Sequence, residues 1–211
     1  KFEPYVTGSA QPKLNKENLL NIKTYVHEYL DQQKIAKVLS DLDAKIEINN
    51  KINAELETMA KTLYDYWFVQ FDFPDANGKP YKTSGGKMVW NEELKREIPV
   101  GWEVLKLKDI ANTGSGGTPL STKKEFYENG NIAWINSGEV NEPFIVIAKK
   151  FITKEGLNNS SAKLFEKGTI LMAMYGATAG KVSLIDIEAS TNQAICAIMP
   201  HEEAYKYYIK F

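Results

Sequence analysis

The chain has 211 residues, 43% hydrophobic and 25% charged, and its 26 lysines and arginines against 27 aspartates and glutamates leave a formal net charge of −1. That balance excludes a polycationic nucleic-acid coat, so any DNA contact comes from local patches or a partner's charge, and the hydrophobic share excludes global disorder. One cysteine, Cys196, excludes an intrachain disulfide and points to a reducing, cytoplasmic setting, while no apolar run reaches the roughly 18 residues of a membrane helix.

The sequence opens Lys1-Phe2-Glu3-Pro4 without an initiator methionine, as a processed product or a fragment does. Residues 1–27 are mixed, with a loop at Gly8-Ser9-Ala10-Gln11-Pro12 and a helix cap at Asn15-Lys16-Glu17-Asn18. From Lys13 to Phe73 there is neither glycine nor proline, the two main helix breakers, which predicts one long helix over 28–73. Its register reads as heptads. Ile35, Leu42, Asn49, Leu56 and Leu63 fall at a; Val38, Lys45, Ile52, Met59 and Tyr66 fall at d. Such a stripe on a helix of roughly 40 residues, about 60 Å long, implies a partner helix, and an amide at a, Asn49, is a register device. The helix ends in aromatic residues, Tyr64, Tyr66, Trp67, Phe68, Phe71 and Phe73, read as a docking face for a globular domain.

Residues 74–98 read as a linker, with Asn77-Gly78 between Pro74 and Pro80 and a second flexible point at Ser84-Gly85-Gly86. Residues 99–211 change character: short β-branched runs alternate with glycine-rich turns. Strands are expected at 103–110, 132–135, 144–147, 169–174, 182–187 and 194–199, with a short helix over 122–127. Long crossover helices are missing, so the fold class is α+β, a strand-rich mixed domain plus one long helix.

Several patterns invite catalytic readings and fail on chemistry. Gly176 to Lys181 is one residue short of a phosphate loop and has Val182 where a magnesium-holding hydroxyl belongs. Asn141-Glu142-Pro143-Phe144 lacks the second-position proline of the adenine-methyltransferase tetrapeptide. Asp75 with Glu93 and Lys95 matches a loose metal-nuclease pattern that sits in the linker instead of on paired strands. His27 and His201 have no metal-ligand spacing, and Cys196 lies in an apolar run. No residue is a catalytic or metal-ligating candidate.

Polar loops suited to DNA remain. Ser115, Gly116, Gly117 and Thr118 offer amides and hydroxyls, and Ser121, Lys123 and Lys124 follow; such groups are ordinary phosphate contacts. Asn136, Ser137, Asn192 and Gln193 include amides that pair two-point with adenine edges. Tyr175, Thr178 and Lys181 lie on the glycine-rich turn.

Six segments in order carry a resemblance: Ile98-Pro99-Val100-Gly101-Trp102-Glu103, Gly116-Gly117-Thr118-Pro119, Ile132-Ala133-Trp134-Ile135, Gly168-Thr169-Ile170-Leu171-Met172, Ala177-Thr178-Ala179-Gly180-Lys181-Val182 and Thr191-Asn192-Gln193-Ala194-Ile195. Together the region resembles the target recognition domain of specificity subunits from Type I restriction-modification systems. Gly8 to Asn15 looks like the end of such a domain, which adds Ser9 and Gln11 to the DNA-binding candidates, and Gln33 to Asp43 looks like a conserved spacer helix. The resemblance implies a non-catalytic cytoplasmic subunit that reads part of a split double-stranded DNA target. Its spacer helix would form an antiparallel coiled coil through Ile35, Val38, Leu42, Asn49, Ile52, Leu56, Met59 and Leu63. Methyltransferase subunits carrying S-adenosylmethionine would dock on it, and a restriction subunit could join. The chain itself is expected to hold no cofactor and no metal.

A full subunit of that family would carry two recognition domains and two spacer helices. This order therefore fits either a fragment spanning a domain junction or a permuted half subunit, in which 1–27 complete the domain begun at 99 and two copies pair through the spacer helix. An interaction or decoy protein, binding methyltransferase subunits without reading DNA, is the alternative function.

Overall fold

The computed structural model describes residues 6, 7 and 13–211. The chain divides after Met59 into two units. In the first, α1 (Lys16–Leu20) is capped by Asn15, whose Oδ1 accepts from Asn18 N at 2.7 Å. Helix α2 (Tyr29–Tyr64) follows and runs on past the division. None of its residues is buried. The apolar a and d residues Ile35, Val38, Leu42, Ile52, Leu56, Met59 and Leu63 keep between 46% and 66% of their surface exposed. Its ion pairs, Lys34–Asp31 at 3.0 Å and Lys37–Asp41 at 3.1 Å, are solvent-exposed and contribute about 0.3–0.5 kcal/mol each. Among the described residues no helix is long and apolar enough to cross a membrane.

The second unit begins with the end of α2, which passes into a π-helical turn, Asp65–Val69, and stops at Phe71 with φ of 66°. A phenylalanine there is uncommon, and packing holds it: Trp102 meets its ring edge-on at 5.4 Å and the Arg96 guanidinium lies 4.6 Å above it. The aromatic run does dock. Phe68 meets Tyr208 at 5.1 Å and Trp102 at 6.1 Å, and Tyr64 meets Tyr208 at 5.7 Å. Residues 74–98, read as a linker, include an antiparallel hairpin of β1 (Met88–Asn91) and β2 (Arg96–Pro99). In the segment before it, the two oxygens of Asp72 accept from Thr83 N at 2.8 Å and Thr83 Oγ1 at 2.6 Å. Those bonds hold the Asp72 carboxyl below the usual carboxylate range.

Beyond Pro99 come α3 (Leu107–Ile110), β3 (Ala111–Ser115), β4 (Ile132–Ile135), β5 (Phe144–Ile145), β6 (Phe151–Ile152), α4 (Lys154–Asn158), β7 (Leu164–Phe165), β8 (Ile170–Ala173), β9 (Val182–Ile185), β10 (Ala189–Thr191), β11 (Ile195–Pro200) and α5 (Glu203–Lys210). They form a five-stranded sheet, β3-β11-β8-β9-β5, and a four-stranded sheet, β6-β4-β10-β7. Period-two alternation assigns the layers. Ile135, Ala133, Leu171, Ala173, Ile195 and Ala197 enter the core shared by the two sheets. Ile170, Met172, Cys196 and Ile198 face Ile209 of α5, and Ile132 and Trp134 face Leu157 of α4.

Two expectations differ. Residues 103–106 are irregular and 107–110 helical instead of a strand, because Asp109 Oδ2 accepts from Lys106 N at 2.9 Å and nucleates a turn. The short helix expected over 122–127 shrinks to a 3-10 turn, Lys124–Phe126.

Candidate nucleic-acid interface

Strand directions decide which loops meet. β3 and β8 each run antiparallel to β11, β9 runs antiparallel to β8, and β10 runs parallel to β4. The C-terminal ends of β3, β4, β8 and β10 therefore share one end of the sandwich with the N-terminal ends of β9 and β11.

Eight candidates converge there. Thr118 Oγ1 donates to Gln193 Oε1 at 2.7 Å. The Gln193 carbonyl accepts from Ser115 Oγ at 3.4 Å and from Tyr175 OH at 3.3 Å. On the four-stranded side, Thr178 Oγ1 donates to the Ser137 carbonyl at 2.8 Å. Asn192 bridges the two groups: its N–H donates to Ile135 O at 3.0 Å, one residue before Asn136, and its Oδ1 accepts from Ala194 N at 3.2 Å. Ser115, Thr118, Tyr175 and Gln193 are exposed; Asn136, Ser137, Thr178 and Asn192 are half-buried. Lys181, exposed, sits at the same end, its carbonyl accepting from Ala173 N at 3.0 Å.

Other candidates stand elsewhere. Gly116 and Gly117 are buried, and their job in the fold is close packing. A Cβ on Gly116 would lie 2.0 Å from Thr191 O, and one on Gly117 would lie 2.1 Å from Ser161 Oγ. The Gly117 N–H already donates to Thr191 O at 2.9 Å. Lys123 and Lys124 open the 3-10 turn, where the Lys123 ammonium lies 4.9 Å above the Phe126 ring. That turn meets the start of α4, with Thr153 N donating to Phe126 O at 2.9 Å, away from the loop end. Ser121 is exposed on the preceding turn. Ser9 and Gln11 lie outside the described residues.

Three residues outside the set of binding candidates build the frame. The Trp134 indole N–H donates to Gly117 O at 3.0 Å. Tyr127 OH donates to Pro119 O. Glu139 accepts from Asn136 N at 3.2 Å and from Lys149 N at 3.0 Å. Trp134 lies in one of the six segments of the resemblance, and Glu139 had the Asn-x-x-Glu spacing of a capping box as its signal.

Asp75 and Cys196, both weighed as catalytic, have structural surroundings. Asp75 Oδ1 accepts from Asn77 N at 2.8 Å and Lys79 N at 2.9 Å, closing a turn; the Lys79 bond first, then the Asn77 bond, holds its carboxyl below the usual range. Cys196 is half-buried in β11, and burial pushes its thiol up, against nucleophile chemistry.

The model of the Type I restriction modification DNA specificity domain family matches residues 1–58 and 99–211. Among curated relatives, the Type I restriction enzyme MjaIX specificity subunit of Methanocaldococcus jannaschii is 31% identical over 169 residues, covering 80% of this chain and 37% of that subunit. The HindI specificity subunit of Haemophilus influenzae is 26% identical over 241 residues, covering 91% of this chain and 52% of that one. A crystal structure of a Type I restriction-modification S subunit from M. genitalium is similar at a TM-score of 0.46 and 18% identity, over 97% of this chain and 46% of that one. The chain thus spans from about a third to about half of the length of the relatives it matches.

Proposed function

This chain belongs to the Type I restriction-modification DNA specificity family, and from that premise we propose that it reads part of a split double-stranded DNA target and docks methyltransferase subunits, with no bond-making of its own. The observation that carries the reading is the loop end of the sandwich. There Ser115, Thr118, Tyr175 and Gln193 stand exposed and mutually hydrogen-bonded on a packed frame. Hydroxyls and amides held in fixed positions suit base edges, and pre-organisation limits the ordering cost of binding.

Asn136, Ser137, Thr178 and Asn192 extend the reading surface, and Lys181 meets phosphate beside it. Lys123, Lys124 and Ser121 meet phosphates from the turn at the start of α4, and Ser9 and Gln11 belong to the same set of DNA contacts. The half-exposed apolar stripe of α2 supports an antiparallel pairing with α2 of a second copy, with Asn49 opposite Asn49 as the register pin. S-adenosylmethionine belongs to the methyltransferase partner in this scheme, and a restriction subunit joins the same assembly.

The test is retention of a randomised duplex library by the chain assembled with its methyltransferase subunits. Enrichment of one sequence pattern is the expected result. Assembly without enrichment would replace the reader by the decoy that binds methyltransferase subunits alone, and magnesium-dependent cutting by the chain alone would overturn the non-catalytic assignment.

A further inference from the structure

We infer that Arg96 is a positioning residue for the split target, gripping the bend where helix α2 enters the recognition domain and so holding the two half-sites to one separation; the inference rests on the split-target reading and the α2 pairing proposed above. The bend lies in residues 59–98, which the family model does not match. It turns on Phe71. The π-helical turn Asp65–Val69 ends α2, and two residues later Phe71, buried, takes φ of 66°. Glycine is the usual residue for that conformation at a helix end, and a Cβ makes it costly. Such a residue persists only while its surroundings hold it.

Arg96 holds it from two directions. Its guanidinium donates to Val69 O at 2.7 Å, across 27 residues of sequence, in the last turn, where intrahelical donors run out. The same guanidinium lies 4.6 Å above the Phe71 ring. The Arg96 backbone is set in β2 opposite Asn91, two residues before the buried Ile98. Other contacts cross the bend: Asp72 N donates to Tyr66 O at 2.9 Å, and Phe68 meets Trp102 and Tyr208. Arg96 differs from these in gripping the carbonyl before the bend and the ring at the bend together. Leverage gives that grip its consequence. Helix α2 has 36 residues, about 54 Å at 1.5 Å each. A tilt of about 4° at one end moves the other by about 4 Å, comparable with the roughly 3.4 Å between base pairs. Helix length therefore sets the mean separation of the half-sites, and the stiffness of the bend sets how far a bound site departs from it.

The experiment enriches a randomised duplex library on wild-type and variant chains, each assembled with methyltransferase subunits, and counts the base pairs between the two enriched half-sites, with thermal melting as the check on folding. Wild type is expected to show one spacing. Arg96 is exposed, so its variants are expected to fold. Arg96→Met keeps an apolar stem beside the Phe71 ring and has no donor. It should raise the share of sites one base pair longer or shorter about tenfold, the worth of one charge-assisted hydrogen bond, with the bases of each half-site unchanged. Arg96→Lys, which keeps a cation and a donor, should return most sites to the parental spacing. Lower melting and weaker retention at an unchanged spacing would mark a stabilising role alone and overturn the inference. A folded Arg96→Met chain with the parental spacing, or a wild type that accepts many spacings or enriches a single half-site, overturns it as well and leaves DNA reading intact. Wild-type retention with no pattern at all removes the DNA-reading function and the inference with it.

Discussion

Replacing Gly116 by alanine asks what the glycines after β3 are for. The new Cβ would lie 2.0 Å from Thr191 O and 2.3 Å from Thr191 Oγ1. Thr191 ends β10, which is hydrogen-bonded between β4 and β7 and cannot retreat without disturbing both. Overpacking of a rigid site costs about 1–3 kcal/mol. Shifting the loop instead forfeits the Gly117 N–Thr191 O bond, about 1 kcal/mol more. The total of about 2–4 kcal/mol corresponds to a melting point lower by roughly 4–16 °C, at about 2–4 °C per kcal/mol for a chain of this size. Gly138→Ala is the control, since nothing lies within 4 Å of its added Cβ, and its stability should stay within about 0.5 kcal/mol of wild type. Thermal unfolding followed by circular dichroism measures both. An unmoved midpoint for Gly116→Ala, with DNA retention reduced, would refute the packing argument and show that the glycine admits a phosphate to the backbone.

Asp72→Asn should lower the melting point at neutral pH. The bonds from Thr83 depress the folded-state ionisation of Asp72, so its contribution is full above the ordinary aspartate value of about 3.9 and vanishes as pH falls through the lower folded value; melting curves of wild type and variant should converge in acid. Lys123→Ala with Lys124→Ala should weaken retention of all sequences alike and flatten the salt dependence by about 0.9 per lost phosphate contact, as read by titrations at several salt concentrations. Leu42→Asp with Leu56→Asp should convert a dimer to a monomer in sedimentation at micromolar concentration. The melting of the strand-rich unit should stay unchanged, because neither side chain enters its core.

Much of the fold was legible where one local rule acted alone. Helix α2 announced itself by the 61 residues from Lys13 to Phe73 without a breaker, about as strong a signal as composition provides. β8 was legible because both of its faces are buried, so Ile170, Leu171, Met172 and Ala173 read as one apolar run. β3 was not: Ala111-Asn112-Thr113-Gly114-Ser115 has no strand composition and is a strand because β11 pairs with it from Ser115↔Cys196 to Ala111↔Pro200. α5 was missed because its packing face becomes visible only when Ile209 meets the underside of the sheet. The candidate loops were identifiable by residue type, but their meeting was not, since Ser115 and Thr118 reach Gln193 across more than seventy residues. The same distance concealed the reason for Gly116, which is Thr191.

Site-directed photocrosslinking tests most directly whether the loop end of the sandwich meets DNA. A photoreactive side chain would be placed at Tyr175, on that end, and in a second protein at Glu166, exposed just before the start of β8 at the other end. In the assembled complex, capture of duplex DNA from position 175 and none from 166 is the predicted outcome. Capture from 166 with position 175 silent would place the duplex on the opposite end and contradict the account.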